Sequence, residues 1–370
     1  MAKDEIEAVY RVRTEPSGLG ERVEALLLEQ TVELRRAAIR SPDVLEHFVG
    51  RVIATEEVGT GDFRVRLAQP AEAAANDPAQ LLNVLFGNCS LQPDVELEDV
   101  RLPQALARTL GGPRFGAAGL RRLTGVRGRA LTASVLKPMG LTVDGAAALC
   151  RTLALAGLDV IKDDHGLADH PNCRFVERAR ACLAATADAA GTTGRRATYV
   201  PNLIGSPATV LRQAREAKEL GVGAVMVSPM LLGLPFLNEL ARGLRLPVLA
   251  HPAFGGAQRI APVALLGKLF PLFGADAVIY PNAGGRFSYG PEVCLGIARA
   301  LRAPDSATAP ALPVPAGGIR IENVAEALEA YGADTMLLLG GSLLEAPNAG
   351  TLLLRGRQFV EAVHAFPYPS

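Results

Sequence analysis

The sequence contains no tryptophan, and aromatic residues make up only 5% of its 370 positions. That scarcity argues against base-stacking or sugar-stacking surfaces, which are built from aromatic faces. Charge of one sign is not in excess either. The 38 Lys and Arg balance 38 Asp and Glu, so the formal net charge is zero. A nucleic acid or an anionic membrane as main partner calls for a basic surplus, so neither is expected. Long apolar runs are missing, because charge or proline interrupts each one well short of a membrane span. The opening MAKDEIEAVY lacks the apolar centre of a signal peptide. The five cysteines (Cys89, Cys150, Cys173, Cys182, Cys294) are odd in number, scattered, and contain no CxxC pair. They read as reduced, packed thiols, and the expected location is cytoplasmic.

What is present is apolar volume and a rhythm. Hydrophobic residues make up 49% of a chain long enough for one large domain or two ordinary ones. From about Leu131, short apolar runs recur at 131–137, 158–164, 197–203, 224–230, 246–252, 277–282, 312–318 and 335–341. Segments of helical spacing follow most of them, as at 142–157, 206–221 and 321–332, and several end at Gly. Eight strand-plus-helix units make a (β/α)8 TIM barrel the economical reading of residues 126–370. A doubly wound open sheet is the alternative, since eight strands do not prove closure.

Residues 1–125 differ and read as a smaller α+β (ferredoxin-like) domain. EIEAVYRVR (5–13) alternates like a strand, and ERVEALLLEQTVELRR (21–36) has helical spacing. RVIATEE and FRVRLAQP suggest a hairpin around VGTGD (58–62). AQLLNVLFGNCSL (79–91) is apolar and ambiguous, and a Gly/Arg-rich connector occupies about 110–130.

In a closed βα barrel the chemistry sits where strands end. The polar residues there are Lys137, the Lys162–His165 cluster, Asn202, His251, Asn282 with Arg286, Gly317–Gly318 and Gly340–Gly341. Any one of them could be an ordinary solvated loop residue; as a set they suggest a site. The two Gly-Gly pairs follow strands seven and eight, where backbone N–H groups commonly cradle a phosphate. A phosphorylated small molecule is therefore the expected ligand.

The stretch DVIKDDHG (159–166) holds the densest charge. Side chains alternate along a strand, so Lys162 and Asp164 share a face, with His165 opening the loop. An ammonium cannot bind a cation, but a lysine carbamate can, and with a carboxylate and a third ligand it would hold a hard cation. A lysine of lowered pKa, Lys162 or Lys137, could instead form a Schiff base. The simplest alternative is an ion pair of Lys162 with Asp164. From spacing alone the pair comes first, the metal second and the Schiff base third.

LTASVLKPMGLT followed by AGLDVIKDD resembles the first two barrel strands of the ribulose-bisphosphate carboxylase/oxygenase (RuBisCO) large subunit. LPVPAGGI and LLLGGSLLEAP look like its seventh and eighth strand loops. LLLEQTVEL (26–34) and LFGNCSL (85–91) look like the segments that family sends into a neighbouring subunit's site. The resemblance runs through nearly the whole chain, in order. It implies a small α+β domain, a (β/α)8 barrel, and a head-to-tail homodimer with shared active sites. It further implies that Lys162 is carbamylated, that Asp164 binds a metal (Mg2+ in the family), and that Lys137 handles protons. Glu29 and Asn88 would reach in from the partner, His251 would follow strand five, and Gly318, Gly340 and Gly341 would hold one phosphate.

The departures narrow the function. His165 stands where the family has a glutamate ligand, and imidazole suits other divalent metals better than Mg2+. Met139 replaces a lysine, and the strand-six loop YPNAGGRFS (280–288) has no clear equivalent of the lysine that grips CO2. Pro252, Tyr280 and Ala316 occupy the positions of the second phosphate's ligands. These changes point away from CO2 fixation and towards the RuBisCO-like proteins of form IV type, with a monophosphorylated ketose or keto-sugar acid as substrate. Two reactions share the required enediolate: decarboxylation or hydrolysis of a 3-oxo sugar-acid phosphate, and enolisation or isomerisation. GGRFS resembles the sugar-acid branch more than the methionine-salvage enolases. A methionine-salvage enolase or isomerase, a Schiff-base lyase and a non-catalytic relative stand as alternatives.

Overall fold

The computed structural model describes residues 4–287, 289–304 and 308–368. Ser288, the last residue of the GGRFS stretch, lies outside them. Four strands open the fold: β1 (Glu5–Arg13), β2 (Arg51–Gly59), β3 (Asp62–Pro70) and β4 (Val95–Arg101). They form an antiparallel sheet in the order β2-β3-β1-β4. Helices Leu19–Thr31 and Pro78–Phe86 follow β1 and β3, which gives the ferredoxin-like arrangement. The alternation of β1 buries Ile6, Ala8, Tyr10 and Val12 on one face. The first helix stops at Thr31, short of the expected residue 36. The amides of Val32 and Glu33 both return to the Leu28 carbonyl, and Glu33 takes a left-handed φ of 53°, which turns the chain away. Strand β4 and the short helices between it and the barrel were not evident in the sequence.

All eight apolar runs are strands: β5 (Leu131–Leu136), β6 (Val160–Asp163), β7 (Thr198–Val200), β8 (Val225–Val227), β9 (Val248–Ala250), β10 (Ala277–Pro281), β11 (Leu312–Ala316) and β12 (Met336–Leu339). They are parallel, in the order β7-β6-β5-β12-β11-β10-β9-β8. The seam between β7 and β8 is bridged just past the end of β7. Met226 N–H donates to the Pro201 carbonyl (2.9 Å) and Leu203 N–H to the Met226 carbonyl (2.8 Å). The order is therefore cyclic, and the open doubly wound sheet is excluded.

Strand phase decides which residues meet inside. Ala133, Val160, Val200, Met226, Leu249, Ile279, Val314 and Leu338 fill the barrel interior as one apolar cluster. Leu120, from a helix (Gly116–Thr124) in the Gly/Arg-rich segment, joins the same cluster. Asp276 pins that segment, accepting N–H bonds from Phe115 and Gly116 (both 2.6 Å) and from Val248 (2.9 Å). Stepping two residues on from each interior residue reaches the C-terminal mouth. Lys162, Asn202, Ser228, His251, Pro281, Ala316 and Gly340 stand at that step, with Lys137 and Asp164 one step further along their strands.

Candidate active site

Lys162 projects inward from β6 with only 3% of its surface exposed. Its Nζ donates to the carbonyl of its neighbour Asp163 at 2.9 Å. The ion pair of Lys162 with Asp164, the simplest reading of the sequence, does not form. Lys137 takes that place instead, its Nζ lying 3.3 Å from Asp164 Oδ1. The register explains the exchange: Val135 pairs with Lys162, so two residues later Lys137 and Asp164 end neighbouring strands side by side. His165 Nδ1 is also 3.3 Å from Asp164 Oδ1, and is buried with no hydrogen bond of good geometry among the described residues.

The electrostatics follow from burial and crowding. Burial pushes the Lys162 amine down to about 8, against the pull of Asp164 and helped by the charge of Lys137. Burial alone would raise Asp164, but the contact with His165 and the charges of Lys162 and Lys137 outweigh it, and the carboxyl lies well below the usual range. Burial also drives His251 well below the ordinary histidine value, reinforced by the charge of Lys162. Its Nδ1 accepts the Ala253 N–H at 3.1 Å, so the neutral ring carries its proton on Nε2. The His165 and His251 rings stack with centroids 4.2 Å apart and planes 11° apart. The stack joins the ends of β6 and β9 and so spans the sector of β7 and β8.

Asp163 points the other way, out of the barrel, and is fully buried. It accepts from Arg178 Nε (3.0 Å), the Tyr199 hydroxyl (2.8 Å) and the Asn202 N–H (3.1 Å). Arg178 Nη1 holds the Ala168 and Cys173 carbonyls, while Asn202 Nδ2 holds those of His165 and Leu167. The loop that carries Asp164 and His165 is thus tied down from behind.

The glycine pairs have distinct duties. Gly317 and Gly318 have φ of 84° and 72°. A Cβ on Gly318 would lie 2.6 Å from the Ala283 oxygen and 2.7 Å from the Gly285 nitrogen. The β11 loop is therefore pressed backbone to backbone against the β10 loop, which only glycine permits. A Cβ on Gly341 would meet nothing within 4 Å, and that glycine opens a short turn of helix after β12. Asn282 turns away from the mouth, its Oδ1 accepting from the Tyr331 hydroxyl at 2.5 Å. Arg286 is exposed on the β10 loop over the Phe287 ring. Tyr280 is wholly buried and packs edge-on against Tyr331.

Glu29 and Asn88 come together away from the barrel residues. Asn88 Nδ2 donates to Glu29 Oε1 at 2.9 Å. Both line a cleft with Thr31, Phe48, Gln80 and Asn83, formed wholly by the N-terminal sheet's own helices and loops. Gln30 is buried and bonds Tyr10 and the Val84 and Leu85 carbonyls, which fixes the end of the helix that presents Glu29. All five cysteines are buried and free. Among the described residues no helix is long and apolar enough to cross a membrane. Ser228 escaped the sequence reading, although its place two residues after Met226 was a signal that it faces the mouth.

The family model of the ribulose bisphosphate carboxylase large chain, catalytic domain, matches residues 116–257. The chain is 46% identical over 342 residues to ribulose bisphosphate carboxylase-like protein 1 of Rhodopseudomonas palustris, covering 92% of this chain and 93% of that one. It is 43% identical over 343 residues to a 5-methylthioribulose-1-phosphate isomerase of Rhodospirillum rubrum, covering 92% of each. The crystal structure of a Rubisco-like protein from Rhodopseudomonas palustris superposes with a TM-score of 0.91 at 41% identity over all of both chains. Barrel, mouth and whole-length likeness agree: the chain belongs to the RuBisCO-like proteins of the ribulose bisphosphate carboxylase large-chain family.

Proposed function

We propose that this chain isomerises a ketose 1-phosphate through an enediolate, with 5-methylthioribulose 1-phosphate as the leading candidate substrate. The observation that carries this reading is the meeting of Lys137, Asp164 and His165 beside a buried Lys162 at the barrel mouth. The 43% identity to a relative named for that isomerase favours it over the sugar-acid reaction. Pro252, Tyr280 and Ala316 offer no charged ligand for a second phosphate, which suits a substrate with one phosphate and an uncharged far end.

Asp164 and His165 supply two cation ligands, and among the described residues no group of three or more His, Cys, Asp or Glu forms a metal site. The donors fit a divalent cation, Mg2+ or one more tolerant of imidazole, once Lys162 is a carbamate. Its amine, near 8, is neutral often enough to add CO2. When bound, such a cation supplies Lewis-acid polarisation of the substrate carbonyl. Lys137, once it has given up its ammonium proton, takes the proton from the carbon next to the carbonyl and returns it to the former carbonyl carbon, while the hydroxyl proton passes from one oxygen to the other. His251, neutral with its proton on Nε2, donates a hydrogen bond to a substrate oxygen. Backbone N–H groups of Gly317, Gly318, Gly340 and Gly341 hold the phosphate, with Arg286 at the rim.

Incubation of the protein with 5-methylthioribulose 1-phosphate, Mg2+ or Mn2+ and bicarbonate in 2H2O is expected to give an isomeric phosphate, followed by NMR. Absence of product from this and related ketose 1-phosphates would sink the reading. Irreversible inactivation by borohydride only in the presence of substrate would transfer the chemistry to a Schiff base at Lys162, whose lowered pKa suits that role as well.

The cleft with Glu29 and Asn88 supports a head-to-tail homodimer in which these two residues complete the partner's site. Mixing inactive Glu29→Gln and Lys162→Met proteins under subunit exchange then restores up to about a quarter of wild-type activity, because statistically one site in four of the pool is intact. No recovery despite proven exchange would place both residues in their own chain's site.

A further inference from the structure

We infer that Asn202 and Ser228 form a subsite at the barrel mouth that binds a substrate hydroxyl, resting on the ketose phosphate reading above. Both residues are buried, at 1% and 3% exposure, and both face inward at the ends of the neighbouring strands β7 and β8. Asn202 Oδ1 and Ser228 Oγ have no hydrogen-bond partner among the described residues. Buried polar atoms in folded proteins are nearly always paired, so two orphans on adjacent strands at a candidate active site call for a partner.

The chemistry of that partner follows from the two atoms. Asn202 Nδ2 donates to the His165 and Leu167 carbonyls at 2.9 and 3.3 Å, which fixes the amide so that only its oxygen is free. That oxygen can only accept, whereas the Ser228 hydroxyl can donate. A group that both donates and accepts satisfies the pair. An alcohol does so; a phosphate or carboxylate would face the amide oxygen with a second acceptor.

The strand order assigns the hydroxyl. Round the ring, the phosphate loops follow β11 and β12, Lys137 follows β5 and Lys162 stands on β6, and Asn202 and Ser228 come next, after β7 and β8. The subsite therefore lies beyond the reacting carbons as seen from the phosphate. In a ketose 1-phosphate that reacts at C2 and C3, the next group is the C4 hydroxyl. The stack of His165 on His251, which joins the ends of β6 and β9, borders this sector.

The experiment compares wild type and Ser228→Ala on 5-methylthioribulose 1-phosphate and on its 4-deoxy analogue. Ser228→Ala is expected to lower kcat/KM for the hydroxylated substrate by about 10–100-fold, the range of one buried hydrogen bond left unmade. The deoxy analogue, with no hydroxyl to lose, changes by less than about 2-fold between the two proteins, since the loss belongs to a single contact. The variant's melting temperature stays level or rises. An equal loss on both compounds, no loss on either, or a clear fall in melting temperature overturns the subsite and makes Ser228 a structural hydroxyl. If wild type turns over neither compound, the function proposed above is what fails.

Discussion

Lys162→Met is expected to abolish most turnover, by about 10^2–10^4-fold, and yet to give a protein as stable as wild type or more stable at neutral pH. The loss of activity follows from removing the amine at the centre of the proposed site. The gain in stability follows from its burial. The unfolded chain carries this lysine at the ordinary value of 10.5, and the folded chain holds it near 8. Between those values the unfolded state binds more protons, so the wild-type protein gains stability as pH rises. Below about pH 8 both states are protonated, and the full cost of burying the charge is present, at most about 3 kcal/mol. Methionine fills a similar volume without that charge. The advantage of the variant is therefore largest below pH 8 and vanishes by about pH 10.5. Urea titrations of both proteins at pH 7 and pH 10, in CO2-free buffer, test the sign. A variant less stable than wild type at pH 7, or one that keeps its activity, contradicts the assignment.

The same lysine shows what a sequence can and cannot carry. Eight barrel strands were legible because a parallel strand buried on both faces is a short apolar run that ends in polarity. Strand β4 was not, because VELEDVR alternates with carboxylates and looks like surface. Alternation alone put Lys162 and Asp164 on one face, and the structure agrees. Their pairing is not legible there, because the partner of Asp164, Lys137, is adjacent only through the register of β5 and β6. Asn282 and Tyr280 sat at a strand end in the sequence, but their hydrogen bond and ring contact to Tyr331, far along the chain, turn them outward. The replacement of a glutamate by His165 was visible at once. Its stacking on His251 was not, since the two residues are joined only by the closure of the ring.

Asp163 was the least legible member of DVIKDDHG, and it leads to the largest expected change in stability. Arg178 and Asp163 are both fully buried, and their side chains meet at 3.0 Å. Burial works against the guanidinium's charge, but the Asp163 carboxylate beside it more than compensates and raises its pKa above the ordinary value. Replacing either partner leaves the other charged and buried without its counter-charge. Arg178→Met and Asp163→Asn are each expected to cost about 3–5 kcal/mol in urea unfolding. The double variant should cost less than the sum of the two by roughly 0.5–3 kcal/mol, because the second change removes a charge the first had orphaned. Strict additivity would mean that the two residues act separately. The consequence for activity comes through the loop. Arg178 ties down the Ala168 and Cys173 carbonyls, and Asp163 holds the Asn202 N–H, whose side chain holds the His165 carbonyl. A displacement of Asp164 and His165 by about 1 Å is enough to lower turnover about 10^2-fold. The single variants should therefore lose kcat even at temperatures where they remain folded. The double variant should lose kcat as the single variants do, although its stability falls short of additive loss, because the ties to the loop remain cut.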